Sequence, residues 1–255
     1  MDLGLKDKVV LITGGARGIG LAHARLLGSE GATIWINDIN HAAIEDAVST
    51  LHADGVRAFA MHGDATDEKV VRASVAKVML TCDRLDILIN NAGVGVKPAT
   101  FIEEMPLEAW SQMLHVHLDS TFLWSREVVA PMKAGGFGRI VNTSSMNFTG
   151  GGRPGVAHYA AAKAGVVGLT QTMAKEVAGN GITVNAIAPG YVATELIAQF
   201  SEDMLQRLRT QNPIGRLCEP HEVAALVTYL CSTQAAFING ECICIDGGRR
   251  DFHWG

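Results

Sequence analysis

The chain has 255 residues, 48% hydrophobic and 18% charged, which is enough for one sizeable core. A formal net charge of −5 argues against a nucleic-acid or anionic-membrane partner, and no apolar run reaches the length of a membrane span. The cysteines (Cys82, Cys218, Cys231, Cys242 and Cys244) show neither a C-x-x-C pair nor metal-type spacing with histidine. That pattern predicts reduced thiols, no metal centre and a cytoplasmic setting, and Met1 to Lys8 lacks the apolar stretch of a secretory signal.

The first predicted element is a buried strand over 9–13, followed by a glycine-rich turn, Gly14 to Gly20, and a helix starting near Gly18. Further short β-branched or apolar runs predict strands at 33–37, 57–62, 86–90, 139–143, 182–187 and 241–245. Longer amphipathic stretches separate them. Strands apolar on both faces and alternating with helices predict a doubly wound parallel α/β sheet of seven strands, helices on both faces, in one domain over 1–255. Cys242 and Cys244 share one strand face, where they read as small core residues. The stretches 106–132 and 157–178 are unusually apolar for helices, which predicts burial against the sheet on one side and another subunit on the other.

The turn Thr13-Gly14-Gly15-Ala16-Arg17-Gly18-Ile19-Gly20 lies where a strand hands over to a helix. Glycines let the backbone approach a pyrophosphate closely, and the helix N-terminus supplies free N–H groups. Asp38, ending the second strand about twenty residues later, stands where a carboxylate accepts hydrogen bonds from an adenosine ribose. The same carboxylate repels a 2′-phosphate, which favours NAD over NADP. Arg17 pulls the other way, because a guanidinium there can reach a 2′-phosphate.

Tyr159 and Lys163 are four residues apart, so on a helix they share a face. A phenol of ordinary pKa about 10 is protonated at neutral pH, and a fixed cation beside it favours the phenolate. That pairing suits a general acid or base working on an alcohol oxygen.

Taken together, these segments resemble the short-chain dehydrogenase/reductase family, whose motifs run here from Thr13 to Gly248. The matching pieces are Thr13-Gly14-x-x-x-Gly18-x-Gly20, Asp64 after strand three, Asn90-Asn91-Ala92-Gly93 after strand four and Ser144-Ser145 after strand five. Tyr159-x-x-x-Lys163, Pro189-Gly190-Tyr191-Val192-Ala193-Thr194 and Asp246-Gly247-Gly248 complete the series. Among members, the chain is similar to small tetrameric enzymes of the 3-oxoacyl reductase and secondary-alcohol dehydrogenase type. The resemblance implies a Rossmann-type fold, a homotetramer and an oxidoreductase using NAD, with an NADPH-dependent 3-oxoacyl reductase as the alternative. A non-catalytic dinucleotide sensor or scaffold is the alternative of another class.

The resemblance also implies roles. Tyr159 would be the acid/base, Lys163 would lower its pKa and hold the nicotinamide ribose, and Ser145 would donate to the substrate oxygen. Gly14, Arg17, Gly18, Ile19 and Gly20 would cradle the cofactor, with Asp38 on its ribose. Asp64 and Ala65 would meet the adenine, Asn91, Ala92 and Gly93 the adenine-side ribose, and Pro189, Gly190, Val192 and Thr194 the nicotinamide end. The chain departs from the family at Val116-His117-Leu118, where an Asn is usual; His117 would then relay protons with a pKa near 6.5. The stretch from Ser145 to Tyr159 is one residue longer than typical, and Ser145 is preferred over Ser144 as the donor.

Residues 195–213 would form a lid, with Leu196, Phe200, Met204 and Leu208 facing inward and Met146, Phe148 and Tyr191 adding apolar wall. Such a pocket suits a medium-sized, largely apolar ketone or secondary alcohol. Arg153, Arg207 and Arg209 read as solvated charge rather than as binders of a carrier phosphate or a substrate carboxylate. The tail from Arg249 to Gly255, with Phe252 and Trp254, is expected to dock across a subunit interface.

Overall fold

The protein is described by a computed structural model over residues 1–150 and 152–248. The tail carrying Phe252 and Trp254 therefore lies outside the described residues. In chain order the first half runs β1 (Val9–Thr13), α1 (Gly18–Ser29), β2 (Thr33–Asp38), α2 (His41–Ala53), β3 (Ala58–His62), α3 (Glu68–Cys82) and β4 (Ile87–Asn90). Next come α4 (Leu107–Leu114), a π-helical turn (His115–Asp119), α5 (Ser120–Gly135), β5 (Gly138–Thr143), α6 (Asn147–Gly150) and α7 (Ala157–Val177). The chain finishes with β6 (Ile182–Pro189), α8 (Glu195–Ala198), α9 (Glu202–Thr210), α10 (Pro220–Cys231) and β7 (Cys242–Ile245).

All seven strands pair in parallel in the order β3-β2-β1-β4-β5-β6-β7. The predicted Rossmann-type sheet is therefore present. Every residue of β1 is buried, as a central strand covered on both faces must be. Alternate residues serve opposite layers: Val10 and Ile12 pack with Leu27, Ile44 and Val227, while Val9 and Leu11 pack with Val75, Trp124 and Val128. Strand order reverses between β2 and β4 on either side of β1, and a crevice opens there at the carboxyl ends of the strands.

The predicted 106–132 helix is interrupted. Between α4 and α5 the π turn holds His117, and the hydroxyls of Ser120 and Thr121 donate to the carbonyls of Val116 (2.6 Å) and His117 (2.8 Å). Side chains thus support carbonyls where the helical ladder is widened. Cys242 and Cys244 are only half-buried, because β7 is the edge strand, so their reading as core residues is corrected. No helix among the described residues is long and apolar enough to cross a membrane.

Candidate active site

A cavity of about 590 Å³ opens at the carboxyl edge of the sheet. It brings together Ser145, Tyr159, Lys163 and His117 with Ile19, Asn91, Gly93, Pro189, Gly190, Val192 and Thr194. Ser145 follows β5, Tyr159 and Lys163 lie on the first turns of α7, and His117 comes from the π turn packed against α7.

Lys163 is 4% exposed, and its ammonium donates to the Thr143 carbonyl oxygen at 2.6 Å. Burial pulls its pKa down to about 7. Its Nζ lies 5.8 Å from the centroid of the Tyr159 ring. The Tyr159 phenol is pushed the other way: burial raises its pKa, partly offset by a hydrogen bond with Ser145, and the nearby Tyr191 phenol adds to the rise. Desolvation thus sets the direction of the Tyr159 shift, against the lowering expected from the spacing to Lys163. Both serines line the cavity, but the Ser144 hydroxyl donates to the Lys163 carbonyl at 2.8 Å and braces α7 against β5, whereas Ser145 hydrogen-bonds Tyr159.

His117 is 3% exposed and stands edge-on to Tyr159, with ring centroids 5.1 Å apart. Its Nε2 sits 3.1 Å from the Val94 carbonyl, and Nδ1 has no partner among the described residues. Burial, reinforced by the Lys163 charge, holds its pKa well below 6.5. A proton carrier titrating near 6.5 is therefore not what the fold provides; the ring is neutral and ties the segment after β4 to the π turn.

The glycine loop is built for close approach. Gly14 has φ +60, and a Cβ there would lie 2.8 Å from the Ala92 Cα. A Cβ at Gly20 would collide with the Gly14 carbonyl oxygen and stand 2.8 Å from the Asn91 amide. Asn91 in turn donates to the Gly14 carbonyl at 2.9 Å, and the Thr13 hydroxyl accepts from the backbone N–H groups of Asn91 and Ala92. Arg17, the N-cap of α1, puts no side-chain acceptor on the helix N-terminus. Asp38 leans over the loop, accepting from the Ala16 N–H at 3.2 Å and the Asn40 N–H at 3.0 Å, while Asn40 caps α2.

Gly14, Arg17, Gly18, Gly20, Asp38, Asp64, Ala65 and Ala92 do not line the cavity. Asp64 folds back to accept from both the N–H and the hydroxyl of Thr66, and the Ala65 carbonyl accepts from the Trp124 indole. Of the expected apolar wall, Met146, Tyr191, Leu196, Phe200 and Met204 line the cavity. Phe148 does not, and Leu208 is 1% exposed without reaching the cavity. Sequence reasoning passed over Thr143, whose contribution is a backbone carbonyl and carries no side-chain signal, and Val94 and Lys97 in the irregular segment after β4.

The profile of the family described as enoyl-(acyl carrier protein) reductase matches residues 14–250. The chain is 38% identical to a cis-4-hydroxycyclohexanecarboxylate dehydrogenase of Sinomonas cyclohexanicum, over 95% of this chain and 96% of that one. It is 37% identical to a 3-oxoacyl-[acyl-carrier-protein] reductase of Aquifex aeolicus, over 97% and 99%. The chain belongs to the short-chain dehydrogenase/reductase family. A solved short-chain dehydrogenase/reductase from Serratia marcescens superposes with a TM-score of 0.90 at 34% identity, covering 97% of this chain and 99% of that one.

As a short-chain dehydrogenase/reductase, the protein is an oxidoreductase acting on CH–OH groups, of alcohols and ketones or of 3-oxoacyl substrates, with a nicotinamide cofactor. The non-catalytic reading is thereby set aside. The residues present fit such a cofactor. Gly14 and Gly20 leave a cradle that a Cβ would fill, the α1 N-terminus is free of side-chain acceptors, and the Asp38 carboxylate overhangs the loop.

Proposed function

We propose that the enzyme interconverts a secondary alcohol and its ketone with NAD(H), using Tyr159 as acid/base. The convergence of Ser145, Tyr159 and Lys163 on one cavity, with Lys163 fixed on the Thr143 carbonyl, carries this reading. A nicotinamide cofactor held here would supply the hydride chemistry, and the residues of this chain handle the proton. Tyr159 Oη takes the proton from the alcohol in oxidation and returns it to the ketone oxygen in reduction. The Ser145 hydroxyl donates to that oxygen where negative charge develops, and its bond to Tyr159 keeps the two oxygens together. Lys163, where protonated, supports the phenolate, and its ammonium would hold the nicotinamide ribose. His117 acts as a positioning residue, holding the edge of the Tyr159 ring and the Val94 backbone.

On this reading Gly14, Arg17, Gly18, Ile19 and Gly20 hold the pyrophosphate and Asp38 the adenosine ribose. Asp64 and Ala65 face the adenine, Asn91, Ala92 and Gly93 line its ribose, and Pro189, Gly190, Val192 and Thr194 seat the nicotinamide. NAD over NADP rests on Asp38. Arg17 supports the second reading, an NADPH-dependent 3-oxoacyl reductase, but its guanidinium faces Glu195 at 3.6 Å rather than standing free. Residues 195–213 form the lid: α8 packs Leu196 over Gly95, and Lys97 donates to Gln199 at 3.0 Å. Half-exposed Phe122 and exposed Leu107 on the long helices support a homotetramer, and five free cysteines support the cytoplasm. Following NADH absorbance across secondary alcohols with NAD and then NADP tests the reading. Turnover with NADP alone would replace it by the second.

A further inference from the structure

We propose that the substrate of this site carries a carboxylate, held by Arg153 and Lys97; the inference rests on the oxidoreductase reading and names its substrate class. The cavity is walled mostly by apolar groups, and its only charged lining residues are Lys97, Arg153 and Lys163, with no Asp or Glu among the described ones. This is a local excess of positive charge in a chain whose formal net charge is −5. Lys163 is committed to the Thr143 carbonyl, which leaves Arg153 and Lys97 for the substrate.

Arg153 is half-buried and has no carboxylate within ion-pair distance among the described residues. Arg72, Arg84, Arg126, Arg209 and Arg216 each have one, at 2.6–2.8 Å. Lys97 meets only a neutral acceptor, the Gln199 amide oxygen, and lies 5.7 Å above the Phe200 ring. A half-buried guanidinium and an exposed ammonium, neither with a carboxylate partner among the described residues, line an apolar cavity and favour an anion that brings an apolar body with it. The planar guanidinium matches a carboxylate in two parallel hydrogen bonds, which a single ammonium does not.

Placement supports the assignment. Arg153 comes from the segment between α6 and α7 and Lys97 from the segment after β4, and these segments touch where the Thr100 N–H donates to the Gly155 carbonyl. The positions proposed for the nicotinamide, Pro189, Gly190, Val192 and Thr194, come from a different segment, the end of β6 and the residues that follow it. The expectation of solvated charge holds for exposed Arg207 and ion-paired Arg209 but not for Arg153, which lines the cavity.

The test compares kcat/KM for matched pairs, cyclohexanol with 4-hydroxycyclohexanecarboxylate and 2-butanol with 3-hydroxybutyrate, in the wild type and in Arg153→Gln, Arg153→Lys and Lys97→Gln. The wild type is expected to prefer the acid of a pair by at least about tenfold, and the preference to fall with added salt. Arg153→Gln should reduce the acid-to-neutral ratio by about 30-fold, chiefly through KM, with Arg153→Lys and Lys97→Gln intermediate. Equal use of acid and neutral alcohol, or a ratio unmoved in Arg153→Gln, overturns the carboxylate assignment while leaving the oxidoreductase reading standing. Acetoacetyl-CoA reduced faster than any acid, with its KM dependent on Arg153, overturns it in favour of a phosphate-bearing carrier. Turnover of no alcohol, ketone or thioester with either cofactor overturns the oxidoreductase reading itself, and this inference with it.

Discussion

Lys163 and Thr143 are joined by a 2.6 Å hydrogen bond in which a buried ammonium donates to a strand carbonyl. The contact fixes the cation at the carboxyl end of β5, one helical turn from Tyr159, and it does so against a desolvation cost. An unfolded lysine stays protonated up to about 10.4, whereas Lys163 in the fold loses its proton near 7. Between those values the unfolded chain binds more protons, so the fold is penalised most at pH 7 and below, and the penalty disappears as pH rises past the unfolded value. Lys163→Met should therefore cut turnover by at least about 100-fold yet raise unfolding free energy at pH 7 by about 1–3 kcal/mol. Urea titrations at pH 7 and 10 check this: the gain should shrink at the higher pH.

The opposed shifts of Tyr159 and Lys163 set a pH dependence. The phenol is raised by burial, so the base form needed to oxidise an alcohol accumulates only in the alkaline range. Alcohol oxidation, read as kcat/KM, should climb continuously from pH 7 to 10, while ketone reduction stays nearly level, because the acid form predominates below the raised pKa of the phenol. Tyr159→Phe should lower kcat by at least about 1,000-fold and Ser145→Ala by about 100-fold, with NADH still bound in fluorescence titration. A pH-independent oxidation rate would remove Tyr159 as the titrating group.

His23, on α1, is fully buried, and neither ring nitrogen has a partner among the described residues. Burial pushes its pKa down to about 3. Below pH 6.5 the unfolded histidine takes up a proton that the folded one refuses, so stability is intact above 6.5 and falls as the pH drops toward 3. His117 and His158 shift in the same direction and add to the slope. His23→Leu should raise stability by about 1–2 kcal/mol at pH 7, through removal of two buried unpaired polar atoms, and by more at pH 5. Denaturant midpoints measured from pH 8 to 5 should fall less steeply in the variant than in the wild type.

The strands and the chemistry-bearing side chains were legible for the same reason: both are periodic or contiguous in sequence. Val9 to Thr13 is apolar throughout because β1 is covered on both faces, and Tyr159 and Lys163 share a face because four residues make one turn. What stayed hidden depends on the third dimension. Nothing local in 115–119 announces a π turn, since the widening is held by Ser120 and Thr121 reaching back, a pattern shared with ordinary helices. Leu208 carries the same amphipathic spacing as Met204, yet Leu208 is buried away from the cavity and Met204 lines it, a division that only the folded chain decides. Arg153 read as surface charge because its lack of a carboxylate partner appears only after folding.

The glycine loop gives a sharp steric prediction. Gly20→Ala would drive a methyl group into the Gly14 carbonyl oxygen and against the Asn91 amide, both of which are rigid here because Asn91 donates to that carbonyl. Relief requires the loop to open, so NADH binding should weaken by at least about 100-fold even if the fold survives. Circular dichroism and NADH fluorescence titration separate these effects; native affinity in a folded variant would show that the loop yields.

The proposed preference for NAD rests on Asp38. Its carboxylate accepts from the Ala16 N–H, so it sits on the glycine loop itself, where a 2′-phosphate would meet like charge at short range. Arg17, on the same loop, is the counterweight, but it faces Glu195, and both side chains are largely exposed, so that pair contributes little. Removing the repulsion should then matter more than any attraction already present. Asp38→Ser keeps a hydroxyl acceptor for the loop amide and is expected to weaken NADH by about tenfold while tightening NADPH by a similar factor, shifting the preference about 100-fold. Because loosening the loop would weaken both cofactors together, the ratio of their dissociation constants is the diagnostic quantity. A ratio unchanged in Asp38→Ser would transfer the selectivity to Arg17, and Arg17→Gln would then be the variant that loses NADPH.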